Sequence, residues 1–283
     1  MNRFFITGGT GFIGSNFINY AMRKNYRVSS LKRNNSIPSI DLLEEPKWFI
    51  GDLNNYKINF FENTDIFIHF ACHSTNHPYD SLSKCIYWNV NASLKIINDA
   101  YESGIRKFIV LGTCNEYGDS YETPLHKSLP LKPKYSYPTS KALSSIVFEE
   151  FARGKDINLT YLRLFQIYGH GENKNRFYPK LIQKAMNGED LDMTDGNEIR
   201  DFTNVDHVCD SIIYEVNNYL NENFCVKHVC SGNPMTLKDF AIKHWVLNKA
   251  KGKLNFGKYR SRLGEPRISI SREDQILLKL KDY

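Results

Sequence analysis

The sequence lacks any long apolar run. No uninterrupted hydrophobic stretch approaches the roughly 20 residues that a membrane-spanning helix needs. Its opening segment, Arg3-Phe4-Phe5-Ile6-Thr7, has none of the charged start, apolar block and cleavage site of a secretory signal. A cytoplasmic protein with no membrane partner is therefore expected. The six cysteines (72, 85, 114, 209, 225 and 230) form no CxxC pair and no Cys/His set with zinc-finger spacing. No metal site is expected, and the thiols read as reduced and mostly buried. Fixed-period repeats and low-complexity tracts are missing too. With 41% hydrophobic and 24% charged residues, the composition gives no support to disordered, collagen-like or coiled-coil classes.

What is present is a chain of 283 residues with 37 Lys and Arg against 31 Asp and Glu, a net charge of +6. Such an excess can mark a nucleic-acid surface. Here the basic residues are scattered, with Lys32-Arg33 and 132–134 the densest clusters of the first half. The charge reads better as a solvated surface suited to anionic small molecules, with no nucleic-acid partner.

Short apolar runs at 3–7, 27–31, 47–50, 65–70, 107–112 and 158–164 predict strands, and periodic segments at 12–24, 84–103 and 139–153 predict helices between them. Ile66-Phe67-Ile68 and Phe108-Ile109-Val110-Leu111 are apolar on successive residues, so both faces of those strands should be covered, as in a parallel sheet. The alternation predicts an α/β fold: a doubly wound parallel Rossmann sheet. After Gly169 the elements shorten, with a strand at 200–205, a helix at 206–220, a strand at 226–230 and a helix at 236–249. The expected division is 1–165 for a dinucleotide-binding domain and 166–283 for a smaller substrate-binding portion. With no linker between them, the two parts are expected to pack together and to interleave.

Thr7-Gly8-Gly9-Thr10-Gly11-Phe12-Ile13-Gly14 joins the first strand to the first helix. Gly8 permits the tight turn, Gly11 a close backbone approach to a pyrophosphate, and Gly14 close helix–strand packing. The anion would sit on the helix N-terminus, at the amides around Phe12 and Ile13. Glycines also serve ordinary turns. Position between strand and helix favours the cofactor loop. At the end of the second strand a carboxylate would bind a ribose 2′-OH and a basic residue would accommodate a 2′-phosphate. The sequence there is Lys32-Arg33, so NADP (NADPH) is expected, against the alternative of a solvated basic turn. Asp52 and Leu53, after the third strand, fall on the adenine side.

Tyr137 and Lys141 lie four residues apart, on one face of a helix that Pro138 can start. A neighbouring ammonium favours phenolate, which would lower the pKa of Tyr137 and suit it to proton transfer. Tyr20 and Lys24 share the spacing and serve as a control. They fall near the end of the first helix, away from the strand carboxyl ends where ligands bind in such sheets, whereas Tyr137 precedes its helix at that edge. Thr113, at the end of the fifth strand, can hydrogen-bond a substrate oxygen. Taken alone it is an ordinary loop threonine.

In order along the chain, these residues resemble the extended short-chain dehydrogenase/reductase family of nucleotide-sugar enzymes. The likeness is carried by the glycine loop, Gly51-Asp52-Leu53, His69-Phe70-Ala71, Asn89-Val90, Thr113 with Tyr117-Gly118, Tyr137 with Lys141, and Tyr168-Gly169. Arg200-Asp201-Phe202 with Val205 and Asp206, and Arg262-Leu263-Gly264-Glu265, complete it. The resemblance implies a catalytic group of Thr113, Tyr137 and Lys141. It implies cofactor contacts at Ala71 and Asn89, and substrate contacts at Cys114, Gln166, Phe177, Arg200 and Arg262, the two arginines on the nucleotide diphosphate. It also implies a homodimer through the helices at 84–103 and 139–153.

Members that remove water from the sugar carry Asp-Glu directly after the Thr. Here Cys114-Asn115 follows, and Glu116 comes one position late, facing the other side if the segment is extended. Cys114 reads as a pocket-lining thiol. The expectation is thus an NADPH-dependent reductase of a nucleotide-linked 4-keto-6-deoxy sugar, hexose or heptose, serving surface-polysaccharide synthesis such as lipopolysaccharide O-antigen. A 4-epimerase or dehydratase of the same family is the alternative, and a non-enzymatic NADP sensor a third reading.

Overall fold

In the computed structural model the described residues are 2–118, 124–218, 222–260 and 266–271. The chain runs β1 (Arg3–Thr7), α1 (Phe12–Arg23), β2 (Arg27–Lys32), β3 (Lys47–Ile50), β4 (Ile66–His69), α2 (Leu82–Ile86), α3 (Ser93–Glu102), β5 (Lys107–Thr113), α4 (Ser136–Lys155), β6 (Asn158–Leu164), α5 (Phe177–Asn187), α6 (Val205–Asn217), β7 (Phe224–Val229) and α7 (Leu237–Leu247). The seven strands form one sheet in the order β7-β6-β5-β4-β1-β2-β3, every pair parallel. The order reverses between β1 and β4, the switch point at whose carboxyl edge ligands of such sheets bind.

The successive apolar residues of the strands divide between two layers. Phe4, Ile6, Ile66, Ile68, Ile109 and Leu111 face α1 and α6 through Phe17, Ile18, Val208 and Ile212. Phe5, Phe67, Phe108 and Val110 face α3 and α4 through Ile96, Ile97, Phe148 and Ala152. Full burial of each such side chain contributes about 1.5–3 kcal/mol. The sheet is thus covered on both faces, as the unbroken apolar runs predict.

After β6 the chain contributes to both parts of the molecule. α6 and β7 return to the sheet. A smaller core gathers α5 and α7 around Leu181, Met193, Phe202, Phe240 and Trp245. The strand predicted at 200–205 is two short ones, Ile199–Arg200 and Phe202–Asn204. Asp201 makes the break: its buried carboxylate accepts the amides of Ser231 (2.5 Å) and Gly232 (2.8 Å) and the Thr203 hydroxyl (2.9 Å). The helix predicted at 84–103 starts earlier, at Leu82, and widens into a π-helical turn over Tyr87–Ala92 between α2 and α3. Among the described residues no helix is long and apolar enough to cross a membrane.

Candidate active site

The glycine loop has the geometry its spacing predicts. Gly8 takes φ +71°, and a Cβ there would lie 2.6 Å from the Ala71 amide nitrogen. At Gly14 a Cβ would lie 2.2 Å from the Gly8 carbonyl oxygen, so α1 packs as close to the loop as glycine allows. A Cβ at Gly11 would meet only the Gly8 oxygen, at 3.2 Å. Gly11 is the N-cap of α1 and brings no side chain onto the helix end, and the first turn carries no carboxylate. The free first-turn amides and the helix dipole therefore face an open cradle that suits a pyrophosphate.

Ala71, across from Gly8, is fixed by a small relay. Its amide donates to Thr7 Oγ1 (3.2 Å), which pairs with His69 Nδ1 (2.8 Å), and His69 Nε2 pairs with Ser93 Oγ (2.9 Å). Burial, with the Lys141 charge adding, pushes the His69 pKa down to about 3. This histidine is a neutral tie between β1, β4 and α3.

Lys32 ends β2 with its ammonium 5.0 Å from the Trp48 ring centre. Arg33 is exposed and donates to Ser36 Oγ (3.3 Å). Asp52 accepts the amides of Asn54 and Asn55 at 2.8 and 3.0 Å, a turn in which Leu53 follows directly.

Tyr137 stands inside the first turn of α4 rather than ahead of it. Ser136 opens the helix, Pro138 is tolerated in a turn whose amides have no intrahelical acceptor, and the chain bends beforehand at Tyr135, which takes φ +70°. The expected lowering of the Tyr137 pKa is overturned. Burial pushes it well above 10, and Cys72, Glu116 and Tyr79 push the same way, with Arg176 opposing. Desolvation outweighs the ammonium one turn away, so the phenol keeps its proton at neutral pH. Lys141 is buried, its Nζ 5.8 Å from the Tyr161 ring centre.

Thr113 ends β5 with its side chain buried and caps a 3₁₀ turn, Cys114–Tyr117: Thr113 Oγ1 accepts the Asn115 amide (3.3 Å), and the Glu116 carboxylate reaches back to the Thr113 amide (2.8 Å). The segment is thus a turn, not an extended strand, and Glu116 goes inward. Its other oxygen meets Arg163 Nε at 2.7 Å, with both side chains almost wholly buried. Cys114 accepts from Ser269 Oγ (3.5 Å), and burial pushes its thiol up to about 11. The thiol therefore keeps its proton at neutral pH.

Asn89 is placed as a strut. Its Oδ1 accepts the His73 amide (2.7 Å), its Nδ2 donates to the His73 carbonyl (3.2 Å) and Ser140 Oγ (2.9 Å), and its carbonyl accepts from Ser144 (2.6 Å). It ties the loop after β4 to α4, so its part in the site is to hold that loop. Gln166 lies on a short strand paired with Phe202–Asn204, and Phe177 opens α5 against the smaller core. Arg200 Nη1 donates to the carbonyls of Ile199 (3.0 Å) and Arg267 (3.2 Å), and its charge reaches Cys114. Arg262 lies outside the described residues. The control pair Tyr20 and Lys24 pack together at the far end of α1, where Tyr20 bonds Asp210.

Three neighbours of Tyr137 escape the sequence reading. Cys72 hydrogen-bonds it, the Tyr79 ring lies 5.4 Å from its own, and Arg176, held 2.9 Å from the buried Glu172, sends its field onto it. The 172/176 spacing is the one signal available beforehand. The other two depend on how the loop after β4 folds back. Among the described residues no group of three His, Cys, Asp or Glu is arranged to hold a metal ion.

The model of one family, described as the NAD dependent epimerase/dehydratase family, matches residues 4–223, from β1 to the start of the last sheet strand. The chain belongs to that family. Among curated relatives, the low-salt glycan biosynthesis protein Agl12 of Haloferax volcanii is 25% identical over 215 residues, 72% of this chain and 69% of that one. The dTDP-6-deoxy-L-talose 4-dehydrogenase (NAD(+)) of Aggregatibacter actinomycetemcomitans is 23% identical over 257 residues, 87% and 92% of the two chains. Among solved structures, the UDP-N-acetylglucosamine 4-epimerase of Methanobrevibacter ruminantium, in complex with UDP-N-acetylmuramic acid, superposes with a TM-score of 0.87 at 22% identity. It covers all of this chain and 92% of its own. That structure therefore shares the fold described here over the whole chain.

Proposed function

We propose that this family member is a nucleotide-sugar enzyme, and within that class an NADPH-dependent reductase of a nucleotide-linked 4-keto-6-deoxy sugar. The observation that carries the choice against dehydration is the placement of Glu116. Water removal needs an acid and a base beside Thr113. Cys114 holds its proton to about pH 11, Asn115 has none to exchange, and Glu116 is enclosed against Arg163 with both oxygens engaged. What remains is redox at a sugar carbon, as net reduction or as epimerisation through transient oxidation. Lys32-Arg33 supports NADPH and so net reduction. The Aggregatibacter relative, by its name, works at position 4 of a 6-deoxy sugar nucleotide. Its name gives NAD(+), so the NADPH part rests on Lys32 and Arg33.

A bound nicotinamide dinucleotide supplies the hydride. Tyr137, kept protonated by its surroundings, gives its phenolic proton to the carbonyl oxygen, and the Thr113 hydroxyl donates a hydrogen bond to the same oxygen. Lys141 holds the nicotinamide ribose beside them. Asn89 keeps the loop bearing Cys72 against α4. In this reading Arg200 meets the substrate diphosphate, since an arginine fork suits phosphate oxygens. Incubation with a nucleotide-linked 4-keto-6-deoxy sugar is expected to oxidise one NADPH per sugar reduced. Conversion with no net NADPH loss would sink the reductase, and interconversion of a nucleotide sugar with its C4 epimer, with no net NADPH loss, would put the 4-epimerase in its place.

The homodimer is kept as part of the proposal. Leu82 and Tyr87 on one helix and Leu143 and Ile146 on α4 are exposed apolar side chains on the two helices named for that contact. Sedimentation is expected to give twice the 32.9 kDa chain mass; a single-chain mass at micromolar concentration overturns it.

A further inference from the structure

The Glu116 carboxylate does more than fill the turn after β5. One of its oxygens accepts the Thr113 amide (2.8 Å) and lies 3.0 Å from the Tyr161 hydroxyl, which is itself 2.9 Å from the carbonyl oxygen of Lys141. The other meets Arg163 Nε at 2.7 Å. Arg163 Nη1 then reaches the Tyr117 hydroxyl (2.7 Å), which pairs with His228 Nε2 (2.6 Å) on β7. Gly112 makes room for this knot: a Cβ there would come 2.2 Å from the Tyr161 ring and 2.6 Å from the Glu116 oxygen. The backbones of Thr113 and Lys141 sit on different elements, β5 and α4; Thr113 is bound to this anion directly, and the Lys141 carbonyl shares with it the single proton of the Tyr161 hydroxyl.

We propose that Glu116 is a positioning residue that sets Thr113 and, through Tyr161, Lys141 relative to each other. The inference rests on the roles given above to those three residues. A buried ion pair is poor evidence of stabilisation in itself. Its value here is geometric: a displacement of about 1 Å in such a group costs turnover about 100-fold.

The test uses the full chain. Glu116→Gln keeps the shape and an acceptor oxygen but removes the charge and leaves Arg163 unpaired. Glu116→Gln with Arg163→Met removes that second fault. Tyr161→Phe removes the hydroxyl that stands between Glu116 and the Lys141 carbonyl and keeps the Glu116 charge, its Arg163 pair and its bond to the Thr113 amide. Each is compared with wild type for kcat, KM of the cofactor, thermal melting and the pH profile of turnover. The charged and titratable groups whose fields reach Tyr137 are Cys72 and Tyr79 from the loop after β4, Glu116, Tyr161 and Arg176, and in Glu116→Gln all but Glu116 stay in place. Glu116→Gln is expected to lower kcat about 10- to 100-fold with cofactor KM within about threefold, and to move the basic limb of the profile down by about one pH unit. The double variant is expected to melt closer to wild type without regaining kcat, and Tyr161→Phe to lose kcat about 3- to 10-fold with the fold intact.

Wild-type kcat in the double variant, or an unmoved basic limb with kcat following only the folded fraction, overturns the proposal. If Glu116→Gln fails to fold, Tyr161→Phe decides it: unchanged kcat overturns, the stated loss supports. The variants are read in whichever nucleotide-sugar turnover wild type performs. Failure of the reductase reading then shows as turnover without net NADPH oxidation, and failure of positioning as variants that keep the wild-type rate.

Discussion

Tyr137→Phe is expected to lower kcat by about 10²- to 10⁴-fold, the range a positioned general acid contributes, while leaving the affinity for the dinucleotide nearly unchanged. The ring stays, so its packing against Tyr79 stays, and melting should shift little. What is lost is the hydroxyl, with its proton and its hydrogen bond to Cys72. The direction of its pKa adds a second expectation. Burial raises the pKa of the phenol above its ordinary value, so the donor form persists from neutral to mildly alkaline pH and the reductive rate should show no loss through that span. The reverse oxidation, which needs the phenolate, should instead gain with pH over that span. Steady-state kinetics in both directions, with cofactor binding followed by fluorescence, checks all of this. A Phe variant with more than a tenth of wild-type kcat would remove Tyr137 from the chemistry.

The second large effect is a change of cofactor. Lys32→Asp with Arg33→Ser is expected to raise KM for NADPH roughly 100-fold and to lower that for NADH. A charge-assisted hydrogen bond contributes about 1.5–3 kcal/mol. Arg33 is exposed, where solvent screening favours the lower figure, and two such losses come to about 3 kcal/mol, or two powers of ten. The new carboxylate at the end of β2 can accept from a ribose 2′-OH. Lys32 also leaves the face of Trp48, an exchange at the surface that should leave folding intact. The assay is the ratio of kcat/KM for NADPH and NADH in both proteins. A wild type that prefers NADH, or a ratio that the substitutions leave unmoved, would identify Lys32-Arg33 as a solvated turn.

The sheet was legible because its signals are local. Runs such as Phe108-Ile109-Val110-Leu111 leave no solvent face, and Thr7 to Gly14 places strand, turn and helix within eight residues. What stayed hidden depends on contacts made across the chain. Glu116 could be recognised as displaced from the acid/base position, but its inward turn requires Arg163, 47 residues away. The pKa of Tyr137 is misjudged from spacing alone, because one ammonium is visible in the sequence and the desolvating neighbours Cys72 and Tyr79 are not. The break at Asp201 needs the amides of Ser231 and Gly232, a pairing that strand propensity does not encode.

The return of the chain from the smaller core to β7 has a consequence for synthesis. β7 is the last strand of the sheet to leave the ribosome, yet it flanks β6 in register from Phe224 to Val229. Until it emerges, β6 presents an open row of amides and carbonyls, the kind of edge that pairs with other chains. α1 likewise waits for α6, which covers Phe17 and Ile18. A nascent chain stalled or cleaved soon after β6 therefore carries its whole dinucleotide loop together with an unprotected seam, and its solubility, not its chemistry, is the first property at risk.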